Sequence, residues 1–163
     1  MTAPHHNDWR LFMTTSARLA LAAAILVALP AAAQADPKFG VRLGYYTKVE
    51  DPFIGAELLF RIVPDLYFNP NVEAVLVDNG RYLTINGDFH YDLPAGRRTF
   101  LWVGAGLAAI NTNPEGPAEG HTDVGLNLLA GIGARRGHVI PYAQAKAILK
   151  SDSEFVIGVG LRF

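Results

Sequence analysis

From Lys38 to Phe163 the chain alternates apolar and polar positions with a period of two, and no stretch sustains the 3.6-residue period of a helix. The alternation falls into eight segments: Lys38–Lys48, Phe53–Ile62, Asn71–Asp78, Arg81–Asp92, Thr99–Asn111, Asp123–Arg135, Ile140–Lys150 and Glu154–Phe163. Turn-forming residues separate them, among them Glu50-Asp51-Pro52, Val63-Pro64-Asp65, Asp78-Asn79-Gly80, Asn113-Pro114-Glu115-Gly116-Pro117 and Ser151-Asp152-Ser153. The pattern predicts an all-β chain of eight antiparallel strands. At about ten residues each, they are longer than the usual strand of a soluble protein.

The two faces of these strands differ in kind. One carries Phe39, Val41, Leu43 and Tyr45 in the first segment and Ile54, Ala56, Leu58, Phe60 and Ile62 in the second. It continues through Leu101, Val103, Leu107, Val124, Leu126, Leu128 and Ile132 to Phe155, Ile157, Val159, Leu161 and Phe163, essentially without charge. The other face is largely glycine, with single charges or amides: Arg42, Glu57, Arg61, Glu73, Asp88, His90, Gln144, Lys146 and Arg162. Glycine without many Lys, Glu, Thr or Ser makes a poor water-facing surface. As the lining of a narrow barrel it leaves room where eight strands converge.

The faces therefore predict a closed up-and-down transmembrane barrel with its apolar face in lipid and a polar lumen. Ten residues tilted at about 40° span roughly the 25 Å apolar band of such a barrel. The competing reading is a soluble, lipocalin-like barrel turned the other way, with the apolar face inside around a ligand. Aromatic residues near the strand ends support the lipid reading as two interfacial girdles: Phe39, Phe60, Phe68, Tyr91, Phe100 and Phe163 at one level, and Tyr45, Tyr82 and Phe155 at the other.

The first third changes the picture. Leu19 to Ala33 is a fifteen-residue apolar run broken by Pro30, short of the roughly 20 residues of a spanning helix. Arg18 precedes it and Ala33-Gln34-Ala35 follows, the parts of a secretory signal peptide. Residues 1–35 are expected to be the signal, cut between Ala35 and Asp36, with Met13 the tidier start; an uncleaved anchor is the alternative. The expected mature barrel is residues 36–163.

Without Arg10, Arg18 and Asp8, the 14 basic and 15 acidic side chains become 12 and 14, a net of −2 and no footprint for nucleic acid. The absence of cysteine rules out a disulfide framework and thiolate zinc sites. An exported barrel has its odd-numbered connections outside. The longest, Thr112 to Thr122, is the fifth and carries Glu115 and Glu119, whereas Arg97, Arg98, Arg135 and Arg136 fall on the inner side.

In architecture the chain resembles small eight-stranded outer-membrane barrels of the OmpA/OmpX type. The most specific feature is the last segment, where Phe155, Ile157, Val159, Leu161 and the terminal Phe163 match the alternating pattern that the barrel assembly machinery recognises in that group. The resemblance implies a monomer in the outer membrane of a Gram-negative-type bacterium, in contact with outer-membrane lipid and lipopolysaccharide, without cofactor or metal. Asn69-Pro70 departs from the pattern, because proline cannot donate to a closed ladder. It is expected to mark a strand boundary or a bulge. The short outer loops speak against a receptor-binding adhesin.

Eight strands enclose only enough space for side chains to fill. Arg42, Arg61, Lys146 and Arg162 then face Glu57, Glu73 and Asp88, with His90 beside them. Charges away from bulk water need partners, so a plugging salt-bridge ladder is expected, giving a structural or surface-interaction role. A narrow porin-like path for small polar solutes is the alternative. Asp88, His90 and Asp92 alternate on one face, but partners from neighbouring strands that would make a metal site are not evident. Some barrels of this size are lipid A-modifying enzymes. His121-Thr122-Asp123 lacks the His-x-Ser pair of the deacylases, so no catalytic residue is assigned.

Overall fold

The computed structural model describes residues 37–114, 120–135 and 138–163. The expected signal peptide and its cleavage residues Ala33, Ala35 and Asp36 lie outside them. Eight strands follow in order: β1 (Lys38–Tyr46), β2 (Asp51–Val63), β3 (Leu66–Val75), β4 (Arg81–Pro94), β5 (Thr99–Asn113), β6 (His121–Ala134), β7 (Ile140–Leu149) and β8 (Glu154–Arg162). Each pairs antiparallel with its sequence neighbour, and β8 pairs with β1, so the sheet closes into a barrel without a crossover. Closure removes both sheet edges, the only arrangement in which strands satisfy their backbone groups in lipid.

The closing seam runs from Gly40↔Arg162 to Tyr46↔Val156, with the Phe163 N–H donating to the Phe39 carbonyl at 2.8 Å below it. Phe39, Leu43, Ile54, Ile85, Leu107, Val124, Leu128, Phe155 and Val159 point outward and are exposed, a belt of large apolar side chains around the whole barrel. Positions of the opposite parity are buried inside. Lys38 and Phe163 mark the terminal end of the barrel; the β1–β2, β3–β4, β5–β6 and β7–β8 connections mark the loop end.

Three sequence expectations need correction. β3 begins at Leu66 rather than Asn71, so Pro70 lies inside the strand, opposite Gly87 of β4. The Leu76 N–H to Pro52 carbonyl bond sets the β2–β3 parity, and counting back places Pro70 across a hydrogen-bonded pair from Leu58, where the strand needs a donor that proline lacks. The Asn69 side-chain amide donates to the Leu58 carbonyl instead, at 2.8 Å. The one irregularity in the β2–β3 register lies further along, between Arg61 and Val63. Phe100 and Tyr82, assigned to the girdles, are buried inside the barrel because their parity is that of the lumen. Finally, the interior is not polar throughout: much of it is aromatic and aliphatic.

Candidate functional site

The lumen is filled in three layers. The middle one is ionic. Arg162 of β8 donates from Nε to Glu57 Oε1 at 2.7 Å. Arg42 of β1 lies between two carboxylates, 3.7 Å from Glu57 and 3.1 Å from Glu73. Lys146 of β7 donates to both oxygens of Glu73 at 2.9 and 2.8 Å. The result is a series of alternating charge, Arg162–Glu57–Arg42–Glu73–Lys146, that ties five strands, β8, β2, β1, β3 and β7, together across the interior. Tyr46 and Thr84 hydroxyls also donate to Glu73, so its carboxylate has four donors. All five charged side chains are almost completely buried.

Asp88 of β4 is held differently. Its oxygens accept from the side-chain amides of Asn71 at 3.0 Å and Asn127 at 2.7 Å. Asn86 bridges those two, donating to Asn71 Oδ1 at 2.9 Å and accepting from Asn127 at 3.0 Å. These carboxamides were not singled out from the sequence as site residues, although each sits on the lumen parity. Scattered Asn residues on separate strands carry no signal until the register places Asn71 opposite Asn86.

Toward the loop end lies an apolar layer centred on Tyr46, Phe53, Tyr82, Ile110 and Ile148. Tyr46 meets Phe53 edge to face at 5.4 Å and Tyr82 at 5.7 Å. Toward the terminal end Phe100, Trp102, Leu129, Ile140 and Tyr142 form a second layer, with Trp102 5.6 Å from both Phe100 and Tyr142. The Arg162 guanidinium stacks on it, 4.3 Å from the Tyr142 ring centre and 5.2 Å from that of Trp102, joining the ionic layer to the aromatic one.

The lumen glycines are the seats of these large side chains. A Cβ on Gly131 would come within 2.1 Å of the Trp102 ring, and one on Gly160 within 2.5 Å of Tyr142. The glycine-rich face is thus half of a large-on-small packing, in which bulky side chains from one strand lie flat over glycines of the next.

Of the expected network residues, Arg42, Glu57, Glu73, Lys146 and Arg162 come together. Asp88 joins through amides, and Gln144 is buried at the level of Gly131 and Gly158. His90 sits apart from the ion pairs, 5.4 Å from the Tyr67 ring and 5.6 Å from Trp102, with Nε2 3.5 Å from Asp92. Arg61 has the lumen parity but is exposed at the terminal rim, because β2 runs past the end of the filled interior. Asp92 is engaged by Arg135 at 3.5 Å. At the loop end Asp123 is shared by His121 at 3.6 Å and Lys150 at 3.4 Å, and the Ser153 hydroxyl donates to the Lys150 carbonyl. Phe155, Ile157, Val159, Leu161 and Phe163 are all exposed on the outer face.

No protein-family model matches the chain, and no curated protein matches it. Its fold is similar to solved barrels. The N-terminal β-barrel domain of Pseudomonas aeruginosa OprF aligns with a TM-score of 0.67 at 17% identity, over 79% of this chain and 97% of that one. Neisserial surface protein A aligns at 0.63 and 13% identity, over 77% and 93%. Ail, the attachment invasion locus protein of Yersinia pestis, aligns at 0.53 and 12% identity, over 79% and 99%. At such identities the likeness establishes architecture: the chain has the closed eight-stranded antiparallel barrel fold of small outer-membrane proteins.

Proposed function

We propose that this chain is an integral outer-membrane barrel whose work is structural or lies at the cell surface, with a sealed lumen and no enzymatic turnover. The observation that carries this reading is the pairing of an uninterrupted apolar outer belt with an interior packed solid by an ionic layer between two apolar ones. Dewetted apolar constrictions stop ion flow, and the charges of the middle layer are paired with one another between two layers rich in apolar side chains. That arrangement favours the sealed barrel over a narrow channel for small polar solutes.

In this reading the leader exports the chain, the terminal end faces the periplasm, and the loop end contacts the lipopolysaccharide leaflet as a monomer. The exposed row Phe155, Ile157, Val159, Leu161 and Phe163 serves the assembly machinery before it meets lipid. At the loop end, Asp123 is paired with Lys150 and lies beside His121, which supports a structural role there rather than an acyl-transfer one.

The test combines location and conductance. Outer membranes from cells expressing the full chain should hold the protein, with an SDS-gel band that migrates differently cold and boiled. Reconstituted into planar bilayers, it should pass no resolvable single-channel current. A soluble periplasmic protein without a heat shift would overturn the membrane reading. Regular conductance steps would favour the channel.

A further inference from the structure

On the outer surface, the belt is indented. A groove of about 720 Å³ runs over β5 to β8 and onto β1. Its floor is Ala143 and Ala145 of β7, whose side chains end at one methyl, and its walls are Leu101 and Ile132 on one side and Ile157 and Val159 on the other. The lining is almost wholly apolar.

The groove has a basic foot. Arg98 is followed at once by β5, and its carbonyl accepts the Arg135 N–H at 2.8 Å, so the β4–β5 turn and the end of β6 are joined below the groove. Arg97 and Arg98 are exposed, and neither is in an ion pair among the described residues; Arg135 is engaged by Asp92. Leu101 stands three residues above Arg98, about 10 Å along the strand and roughly 7–8 Å along the membrane normal at a tilt near 40°. A headgroup layer is roughly 5–8 Å deep. The guanidinium level and the groove are therefore separated by the distance between a lipid phosphate and the upper part of its acyl chain.

Charge distribution selects the lipid. At the terminal rim Lys38, Arg61, Arg97, Arg98 and Arg135 outnumber Asp65 and Asp92; at the loop end Glu50, Asp51, Asp78, Asp123 and Asp152 outnumber Lys48, Arg81 and Lys150. A free phosphate-bearing lipid is attracted to the first end and repelled by the second. We infer that the β5–β8 groove with Arg97 and Arg98 at its foot is a binding site for an anionic phospholipid of the leaflet at the terminal end. The acyl chain lies over Ala143 and Ala145, and the phosphate rests on the β4–β5 turn. This inference rests on the membrane-barrel reading above.

Native mass spectrometry tests it on the folded full chain in detergent, after the cold and boiled gel shift has established a barrel. Phosphatidylglycerol and phosphatidylcholine with identical acyl chains are offered at equal mole fraction. The unaltered barrel should retain one phosphatidylglycerol over phosphatidylcholine by roughly tenfold or more, since each basic residue near the surface contributes about 1 kcal/mol. Arg97→Gln/Arg98→Gln should retain both lipids equally, and Ala143→Leu, which fills the floor, should retain neither. Ala145→Leu replaces it if Ala143→Leu loses the gel shift. Equal retention by the unaltered barrel, preference surviving in Arg97→Gln/Arg98→Gln, or a retained second copy of the chain would overturn the site. A chain without any heat shift would overturn the barrel reading, and the site with it.

Discussion

Glu73 concentrates the demands of the interior on one carboxylate. Two cations and two hydroxyls from three strands, β1, β4 and β7, converge on it, all shielded from solvent. Glu73→Gln removes the charge and keeps the volume, leaving Arg42 and Lys146 with Glu57 as the one remaining carboxylate of the chain. Breaking one partner of a buried ion pair costs about 3–5 kcal/mol, so this variant should lower the urea midpoint of the vesicle-embedded barrel by far more than a lipid-facing change such as Leu43→Ala. Gly131 makes a different demand. Its missing Cβ is the space the Trp102 ring occupies. Gly131→Ala should destabilise by about 1–3 kcal/mol through overpacking. Trp102 is the single tryptophan of residues 36–163, so its emission should shift red as the ring is displaced.

At the scale of elements, β3 shows how a strand keeps a proline that its pattern argues against. Asn69 supplies through its side chain the donor that Pro70 withholds from Leu58. Asn69→Ala should cost about 1–3 kcal/mol by leaving that carbonyl without a donor. Adding Pro70→Ala should recover most of the loss, because the restored backbone N–H faces Leu58 directly. Equilibrium unfolding of the two single variants and the double variant checks this, and simple additivity would refute the substitution of one donor for another. The same pairing explains why Asn69-Pro70 looks like a boundary in sequence. The compensating group is a neighbouring side chain, and its target is a carbonyl eleven residues away on another strand.

For the whole molecule, the consequence of stacking ionic and apolar layers is redundancy. Trp102→Ala/Tyr142→Ala empties the inner aromatic layer but leaves Tyr46, Phe53, Tyr82, Ile110 and Ile148 closing the loop end above the ion pairs. That variant should be less stable yet still silent in planar bilayers. Steady current from it would mean that the inner layer alone seals the barrel. The charge asymmetry between the two rims belongs to this scale as well, since it arises from which connections share an end.

Strand number, the closed antiparallel topology and the assignment of Phe39, Leu43, Leu128 or Val159 to the outside were legible in the sequence, because period-two alternation is local and needs only the parity of each residue. Parity also placed Arg42, Glu57, Glu73, Lys146 and Arg162 inside. It could not tell which charges meet, because Glu57 and Arg162 are 105 residues apart and their contact depends on closure between β8 and β1. Nor could it rank the polar residues against Phe53, Trp102 and Tyr142 as filling for the lumen, since a large side chain fits there only when the register sets a glycine beneath it. Arg61 marks the same limit: its parity is right, but the length of β2 carries it past the packed interior. Local alternation determined the side of the wall for each residue, and tertiary closure alone decided depth, partner and seat.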